Sequence, residues 1–326
     1  MTLVLFDFLN LMHRAYHAYP RTLATKEGEQ TNAVYGLSNI LLNSIKKLSP
    51  THIIVATETG PSFRHLAFAP YKENRGWRRE RPDEAEEFDK QIPRALEVLN
   101  ALNIPVISAG GYEADDVIGT LCRGSKFKVQ SSKLETIVVS SDQDFLQLID
   151  ETTKVFRPAR PPFIKEKLWD LDQVRETYQI DPINLIDYKA LRGDPSDNIP
   201  GVQGIGEKAA LKLVQEFGSI ENIYTRISQI FPISLRKKLA EGAEIAVLSK
   251  KLSTIVTDVP ISFDLKDCLW GIYNPKKVEK LFLDLEFKSL FSKVPLLSKT
   301  SKPPIIPSSL TVSRNTTSDS GQLVLI

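Results

Sequence analysis

Four short apolar runs, separated by longer amphipathic stretches, restrict this chain more than any other feature. The runs are Leu3–Phe6, His52–Ala56, Ile104–Ile107 and Thr136–Val139, rich in Val and Ile and of the length of buried strands. Between the first two, Thr31–Leu48 repeats Val34, Leu37, Ile40, Leu41, Ile45 and Leu48 at helical spacing. A second helix is predicted from Glu84 to Leu102, kinked at Pro93. Such alternation predicts an α/β fold, a mostly parallel sheet with helices on both faces. From Leu171 the strands stop, and Gly and Pro turns separate short predicted helices: Asp172–Tyr178, Pro182–Leu191, Lys208–Phe217, Ala243–Lys251 and Pro275–Phe291. The last carries Val278, Leu281, Phe282, Leu285 and Phe287 on one stripe, a packing pattern. The expected organisation is an α/β unit over 1–170, a helical region over 171–294 and a flexible Ser/Thr/Pro-rich tail over 295–326. No internal repeat is found.

Composition narrows the classes further. With 42% hydrophobic and 25% charged residues, disorder over most of the 326-residue length is excluded. No apolar run reaches the ~20 residues of a membrane helix, and the start Met1–Asp7 has no basic leader. A cytoplasmic protein is expected. Two cysteines, Cys122 and Cys268, are too few for a disulfide framework or a cysteine zinc site. Four histidines, of which only His13 and His17 share His-x-x-x-His spacing, are few for an imidazole metal site. The net charge of +2 is uninformative, but its distribution is not. Arg64, Lys72, Arg75, Arg78, Arg79 and Arg81 face only Glu73 and Glu80 in the same stretch, while acids gather further along. On charge alone, a solvated helix face explains that stretch equally.

The acids come in motifs. Gly111-Tyr112-Glu113-Ala114-Asp115-Asp116 opens a predicted helix with three carboxylates in four residues. Either a hard cation such as Mg²⁺ or Mn²⁺ neutralises them, or they cap the helix and complement its dipole. Asp7 ends the first strand, and Ser140-Ser141-Asp142-Gln143-Asp144 follows the fourth. Ligands of open parallel sheets sit beyond the carboxyl ends of the strands, so these acids are expected to share one crevice. Gly193-Asp194-Pro195-Ser196-Asp197-Asn198 adds a fourth motif and leads into Gly201-Val202-Gln203-Gly204-Ile205-Gly206-Glu207-Lys208-Ala209. Glu207 stands where a P-loop needs Lys, which excludes an ATPase. Glycines at a helix start instead let backbone N–H groups approach a phosphate, or simply make a tight turn.

In order and spacing these motifs resemble the bacterial 5′–3′ exonuclease/flap endonuclease family, whose members include the N-terminal 5′-nuclease domain of DNA polymerase I and stand-alone relatives. Thr31–Gly36, Pro61-Ser62-Phe63-Arg64-His65, Tyr71-Lys72-Glu73-Asn74-Arg75 and Leu285–Leu290 match as well, so the resemblance spans residues 3–293. At this length a stand-alone form is expected, with no polymerase domain following. The resemblance implies a PIN-like nuclease core, a helical arch near 70–100 and a helix–hairpin–helix near 198–217. It implies cleavage of DNA at 5′ flaps, nicks and 5′ ends, some RNA-primed, in replication and repair, with two Mg²⁺ or Mn²⁺ ions and a K⁺ at the hairpin. Asp7, Glu113, Asp115 and Asp116 correspond to the first metal's ligands, and Asp142, Asp144, Asp194 and Asp197 to the second's. Lys72 and Arg75 correspond to the pair that holds the scissile phosphate. Arg64, Arg78, Arg79, Arg81, Gly204, Gly206 and Lys208 are the expected DNA contacts. A monomer in the bacterial nucleoid, without membrane attachment, is expected.

Two residues depart from the pattern. Thr57 stands where the family usually has Asp, with Glu58 beside it, and Phe8 follows the first catalytic Asp where a small residue is usual. The alternative reading is therefore a flap- or nick-binding protein with weak or lost cleavage. A metal-dependent ribonuclease ranks last, because the hairpin and the basic stretch suit DNA.

Overall fold

The computed structural model describes residues 1–124, 134–160, 162 and 164–295, with Trp77 by its backbone alone. The predicted tail over 296–326 lies outside the described residues. Six strands form one sheet in the order β3-β2-β1-β4-β5-β6. They are β1 Thr2–Asp7, β2 His52–Ala56, β3 Val106–Ile107, β4 Glu135–Val139, β5 Thr153–Arg157 and β6 Lys167–Trp169. The first five run parallel and β6 pairs antiparallel to β5. From β1 the chain winds outward to β2 and β3, then returns to β4 on the other side of β1. That reversal leaves a crevice at the carboxyl ends of β1 and β4.

Strand alternation explains why both faces are covered. Leu3 and Leu5 point into one core with Ile54, Val138 and Val155, whereas Val4 and Phe6 point into the other with Val55, Val139 and Phe156. The second core is closed by α1 Phe8–Tyr16, α2 Asn32–Leu48 and α5 Pro82–Ala101. Phe8, 2% exposed, is one of its members, so the ring packs beneath the crevice and leaves its mouth open. The helix through Pro93 continues without a break. Short helices α3 Phe63–Ala67 and α4 Trp77–Glu80 lie between β2 and α5.

On the opposite face, α6 Ala114–Arg123 shares a core with the helical half: α7 Leu171–Tyr178, α8 Leu185–Arg192, α9 Glu207–Phe217, α10 Ile220–Thr225, α11 Ile233–Glu241 and α12 Ala243–Ser253. One apolar core thus runs across residue 170. The predicted helix Pro275–Phe291 is two helices, α13 Pro275–Asp284 and α14 Lys288–Phe291. Between them Glu286 takes a left-handed φ of 59°. The turn folds Phe287 back on Phe282, ring centroids 6.0 Å apart, and both pack with α2 and α5. Sequence periodicity missed β5 and β6, and the predicted Pro182–Leu191 helix begins with a 3₁₀ turn, Pro182–Asn184. No described helix is long and apolar enough to cross a membrane.

Candidate active site

Asp7 leaves β1 and caps α1, accepting from the Asn10 backbone N–H at 3.4 Å. The Ser140 hydroxyl, at the end of β4, donates to its Oδ2 at 2.9 Å. The same hydroxyl accepts the Asp142 N–H at 3.0 Å, and Asp142 Oδ1 accepts the Asp144 N–H at 2.9 Å. The two strand ends are therefore tied into one carboxylate-bearing rim. Burial lifts the Asp7 pKa to about 7, against the Ser140 bond and aided by Asp142 and Glu58. Burial, then Asp142 and Asp7, also pushes the Asp115 carboxyl well above its ordinary value. Among the described residues, Asp7, Asp115 and Asp142 have no salt-bridge partner.

The acids of the opposite rim are neutralised. Glu113 caps α6 and accepts from Lys72 Nζ at 2.8 Å, the Ser62 hydroxyl at 2.9 Å and the Tyr71 hydroxyl at 3.1 Å. Burial raises its pKa, but Lys72 and Arg64 outweigh it and hold the group at about 2. Asp197 takes Arg75 on Oδ1 and lies 3.9 Å from Lys72 Nζ. Lys189, on α8, bridges Asp144 and Asp194. Burial and Asp142 nonetheless raise Asp144 to about 7, while Lys189 and the Ser196 hydrogen bonds, opposing burial, hold Asp194 at about 2. Ammonium and guanidinium groups stand between these carboxylates. Among the described residues no three acidic, histidine or cysteine side chains are already gathered around one ion position.

Backbone geometry places Lys72 there. Its φ of 56° is left-handed, and its N–H donates to the Asp197 carbonyl at 2.9 Å. The Asn198 amide reaches the Pro70 carbonyl at 2.7 Å, stitching the arch base to the 194–198 loop. That loop closes through paired backbone bonds between Asp194 and Ile199, each 2.9 Å. Gly193 and Gly201 let it close: a Cβ on Gly201 would lie 2.2 Å from the Gly193 nitrogen.

Two expectations are corrected. Arg64, expected on DNA, is 2% exposed and donates to both Asp116 oxygens at 2.7 and 2.8 Å. It also bonds the Leu252 and Thr254 carbonyls, so its guanidinium is committed inside the protein. Asp116, expected at a metal, is 0% exposed and further accepts the Glu113 and Val256 N–H groups. A carboxylate with both oxygens bonded in the interior has nothing left for an ion in the crevice. The pair fastens the start of α6 to α3 and to the chain beyond α12.

Of the cations around the helix Trp77–Glu80, Arg78 is held by Asp89 at 2.6 and 2.9 Å. Arg79 and Arg81 are exposed. The hairpin presents Gly204, at a φ of 76°, Gly206 as the cap of α9, and Lys208, all exposed. Lys238 donates to the Gly204 carbonyl at 3.1 Å. Thr57 extends the β2–β3 pairing through its N–H, bonded to the Ile107 carbonyl at 3.0 Å. Three residues of the site escaped sequence reading. Lys189 and Ser140 lie within or beside recognised motifs, and Arg14 donates to the Ser141 hydroxyl at 2.6 Å.

Comparison with known proteins agrees with this architecture. The family model described as the 5′–3′ exonuclease N-terminal resolvase-like domain matches residues 2–179, and that of the 5′–3′ exonuclease C-terminal SAM fold matches 180–276. DNA polymerase I of Caldicellulosiruptor bescii is 40% identical over 299 residues, 91% of this chain and 34% of that protein. DNA polymerase I of Bacillus subtilis is 38% identical over 293 residues, 90% of this chain and 32% of its own. The chain thus spans about a third of the length of the curated relatives it matches. The bacteriophage T5 D15 protein, crystallised with metal ions, shares the fold at a TM-score of 0.64 and 22% identity, covering 88% of this chain and 99% of that one. Flap endonuclease-1 of Methanococcus jannaschii does so at 0.57 and 19%, covering 89% and 90%.

Proposed function

This chain belongs to the 5′–3′ exonuclease family, and from that premise we propose that it is a structure-specific 5′–3′ exonuclease and flap endonuclease acting on DNA in replication and repair. One observation carries the reading: Asp7, Asp115 and Asp142, unpaired and mutually repelling, face Lys72 and Arg75 across the crevice at the sheet's switch point. Its substrates are 5′ flaps, nicks and 5′ ends, in keeping with the DNA complex of the T5 D15 flap endonuclease.

The donor set fits hard divalent cations. It is all carboxylate oxygen, and burial, then repulsion from neighbouring acids, raises Asp7 and Asp115, so a bound cation would relieve both. Asp7, Asp115 and Glu113 would hold one Mg²⁺ or Mn²⁺, and Asp142, Asp144, Asp194 and Asp197 a second. Bound there, the ions would neutralise the phosphodiester and make a hydroxide from water near neutral pH.

The remaining work falls to the chain's own groups. Lys72 and Arg75 would exchange Glu113 and Asp197 for the scissile phosphate, gripping it by charge-assisted hydrogen bonds. Tyr71 and Ser62 would keep Glu113 oriented when Lys72 leaves it. The hairpin at Gly204–Lys208 would hold the duplex backbone without reading bases. A K⁺ at that hairpin would compete with the Lys238 ammonium, and this reading gives the Gly204 carbonyl to the lysine.

Lys72→Ala tests the exchange. It should slow flap cleavage far more than it weakens flap binding; equal losses would reduce Lys72 to a docking contact. Binding itself should fall steeply as salt rises, because phosphate contacts release counterions. A second reading, binding with little cleavage, rests on Thr57 alone, since Phe8 is packed away in the core.

A further inference from the structure

Beside the crevice, between α1, α2 and the end of β5, lies a cavity of about 470 Å³ that the reaction above does not use. Arg14 and Arg160 line it. Arg14 is held rigidly, donating to the Ser141 hydroxyl at 2.6 Å and to the Pro158 carbonyl at 2.7 Å. Because Ser141 precedes Asp142, Arg14 reaches from the cavity to the residue beside a proposed metal ligand. Burial, then Arg160 and Arg157, lowers the Arg14 pKa: like charges converge here.

One buried hydroxyl of the lining is also left waiting. Ser44, 2% exposed, lines the cavity, and its hydroxyl has no hydrogen-bond partner. Buried polar atoms normally find partners, so this pattern points to a missing acceptor. Among the described lining residues the one acid, Glu166, is neutralised by Lys47. A second lysine, Lys293, donates to Asn39 and Asn43 on the α2 side at 2.7 and 3.1 Å. The walls are thus cationic and hydroxylic, with the Phe156 and Tyr19 rings among them.

We propose that this cavity is a second phosphate-binding subsite for the nucleotide strand, separate from the scissile-phosphate grip of Lys72 and Arg75. Arg14 and Arg160 supply its charge, Ser44 a hydroxyl donor, and Tyr19 a surface against which a sugar or base can lie. The subsite rests on the nuclease reading and deepens it. It gives the strand a second anchor beside the cleavage position, and its ligand is either a terminal 5′-phosphate or an internal diester.

The test is calorimetric titration of the full chain in EDTA with thymidine 5′-monophosphate and with thymidine. The monophosphate should bind about tenfold more tightly or better, as expected for charge-assisted bonds to a phosphate. Arg160→Ala should remove that advantage, and Ser44→Ala should reduce it, while Lys72→Ala and the distant Lys276→Ala should keep it. Arg160 is exposed, so its replacement will not prevent folding. Equal binding of both compounds, or an advantage lost in Lys72→Ala but kept in Arg160→Ala, overturns the subsite. Oligothymidylates with a 5′-phosphate or a 5′-hydroxyl then separate the two sources. A preference for the phosphate that Arg160→Ala abolishes assigns a strand end, and equal binding weakened by Arg160→Ala assigns an internal diester. Flap cleavage in Mg²⁺ by the same preparations tests the nuclease reading independently.

Discussion

The two rims of the crevice solve the same electrostatic problem in opposite ways. On the arch side Glu113, Asp194 and Asp197 are acids with built-in cations: Lys72, Lys189 and Arg75. At the ends of β1 and β4 and the start of α6, Asp7, Asp142 and Asp115 have none among the described residues, and burial and mutual repulsion lift Asp7 to about 7. The first arrangement holds the arch and the 194–198 loop against the sheet without help. The second is strained in the protein alone and is relieved by positive charge from outside. A site that must bind both cations and an anionic substrate needs both kinds of rim.

Substitutions on each rim should therefore shift stability in opposite directions. Glu113→Gln leaves the buried Lys72 ammonium without its main partner, and Arg64→Ala strands Asp116. Each should cost about 3–5 kcal/mol by denaturant unfolding, the usual result of breaking a buried pair. Losses below about 1 kcal/mol, the range of exposed pairs, would show that solvent screens the arch side. Asp115→Asn should instead stabilise the metal-free protein, by about 0.5–2 kcal/mol as for other active-site strain, while removing cleavage. Destabilisation in EDTA would mean the strand-end acids are not in conflict.

Proton linkage sharpens the contrast. Asp7 has a folded pKa of about 7, above its unfolded value, so its contribution is present below the ordinary aspartate range and is lost as pH rises through 7. Glu113, held at about 2, contributes above the ordinary glutamate range and loses that contribution as pH falls toward 2. In EDTA the stability advantage of Asp7→Asn over the parent should grow between pH 4 and pH 7, and saturating Mg²⁺ should erase it. An advantage independent of pH would remove Asp7 from the strained set. The smallest effect is expected at Thr57. With Glu58 already close enough to act on Asp7, Thr57→Asp should raise cleavage only several-fold at unchanged flap affinity, about 1 kcal/mol in the barrier. A gain of many orders of magnitude would favour the binding protein over the nuclease.

What the sequence reveals follows from how local the signal is. Strands buried on both faces read as apolar runs, so β1, β2 and β4 are legible with their terminal acids. β5, with Lys154 and Arg157 at the sheet's margin, and the three-residue β6 carry no such pattern. The acidic motifs are legible as a group, but their division is not. Whether a carboxylate meets an ion or an arginine depends on partners far along the chain: Arg64 lies 52 residues before Asp116 and 190 before the Thr254 carbonyl it also bonds. Arg64 thus looks like one more basic residue among six. Lys189 and Arg14 are hidden for the same reason, since each sits on an ordinary amphipathic helix and acquires its role from the neighbouring loop.

On the proposed function, Asp7, Asp115 and Asp142, the carboxylates without built-in cations, bind the cations for phosphodiester cleavage. Cleavage of a labelled 5′-flap duplex, assayed in Mg²⁺ and separately in Mn²⁺ beside Asp142→Ala, tests it most directly. The account predicts cutting near the flap junction by the parent, none in EDTA, and none by Asp142→Ala although it still binds the flap. Retained cutting by Asp142→Ala, or tight flap binding by the parent with no cutting in either metal, would contradict it.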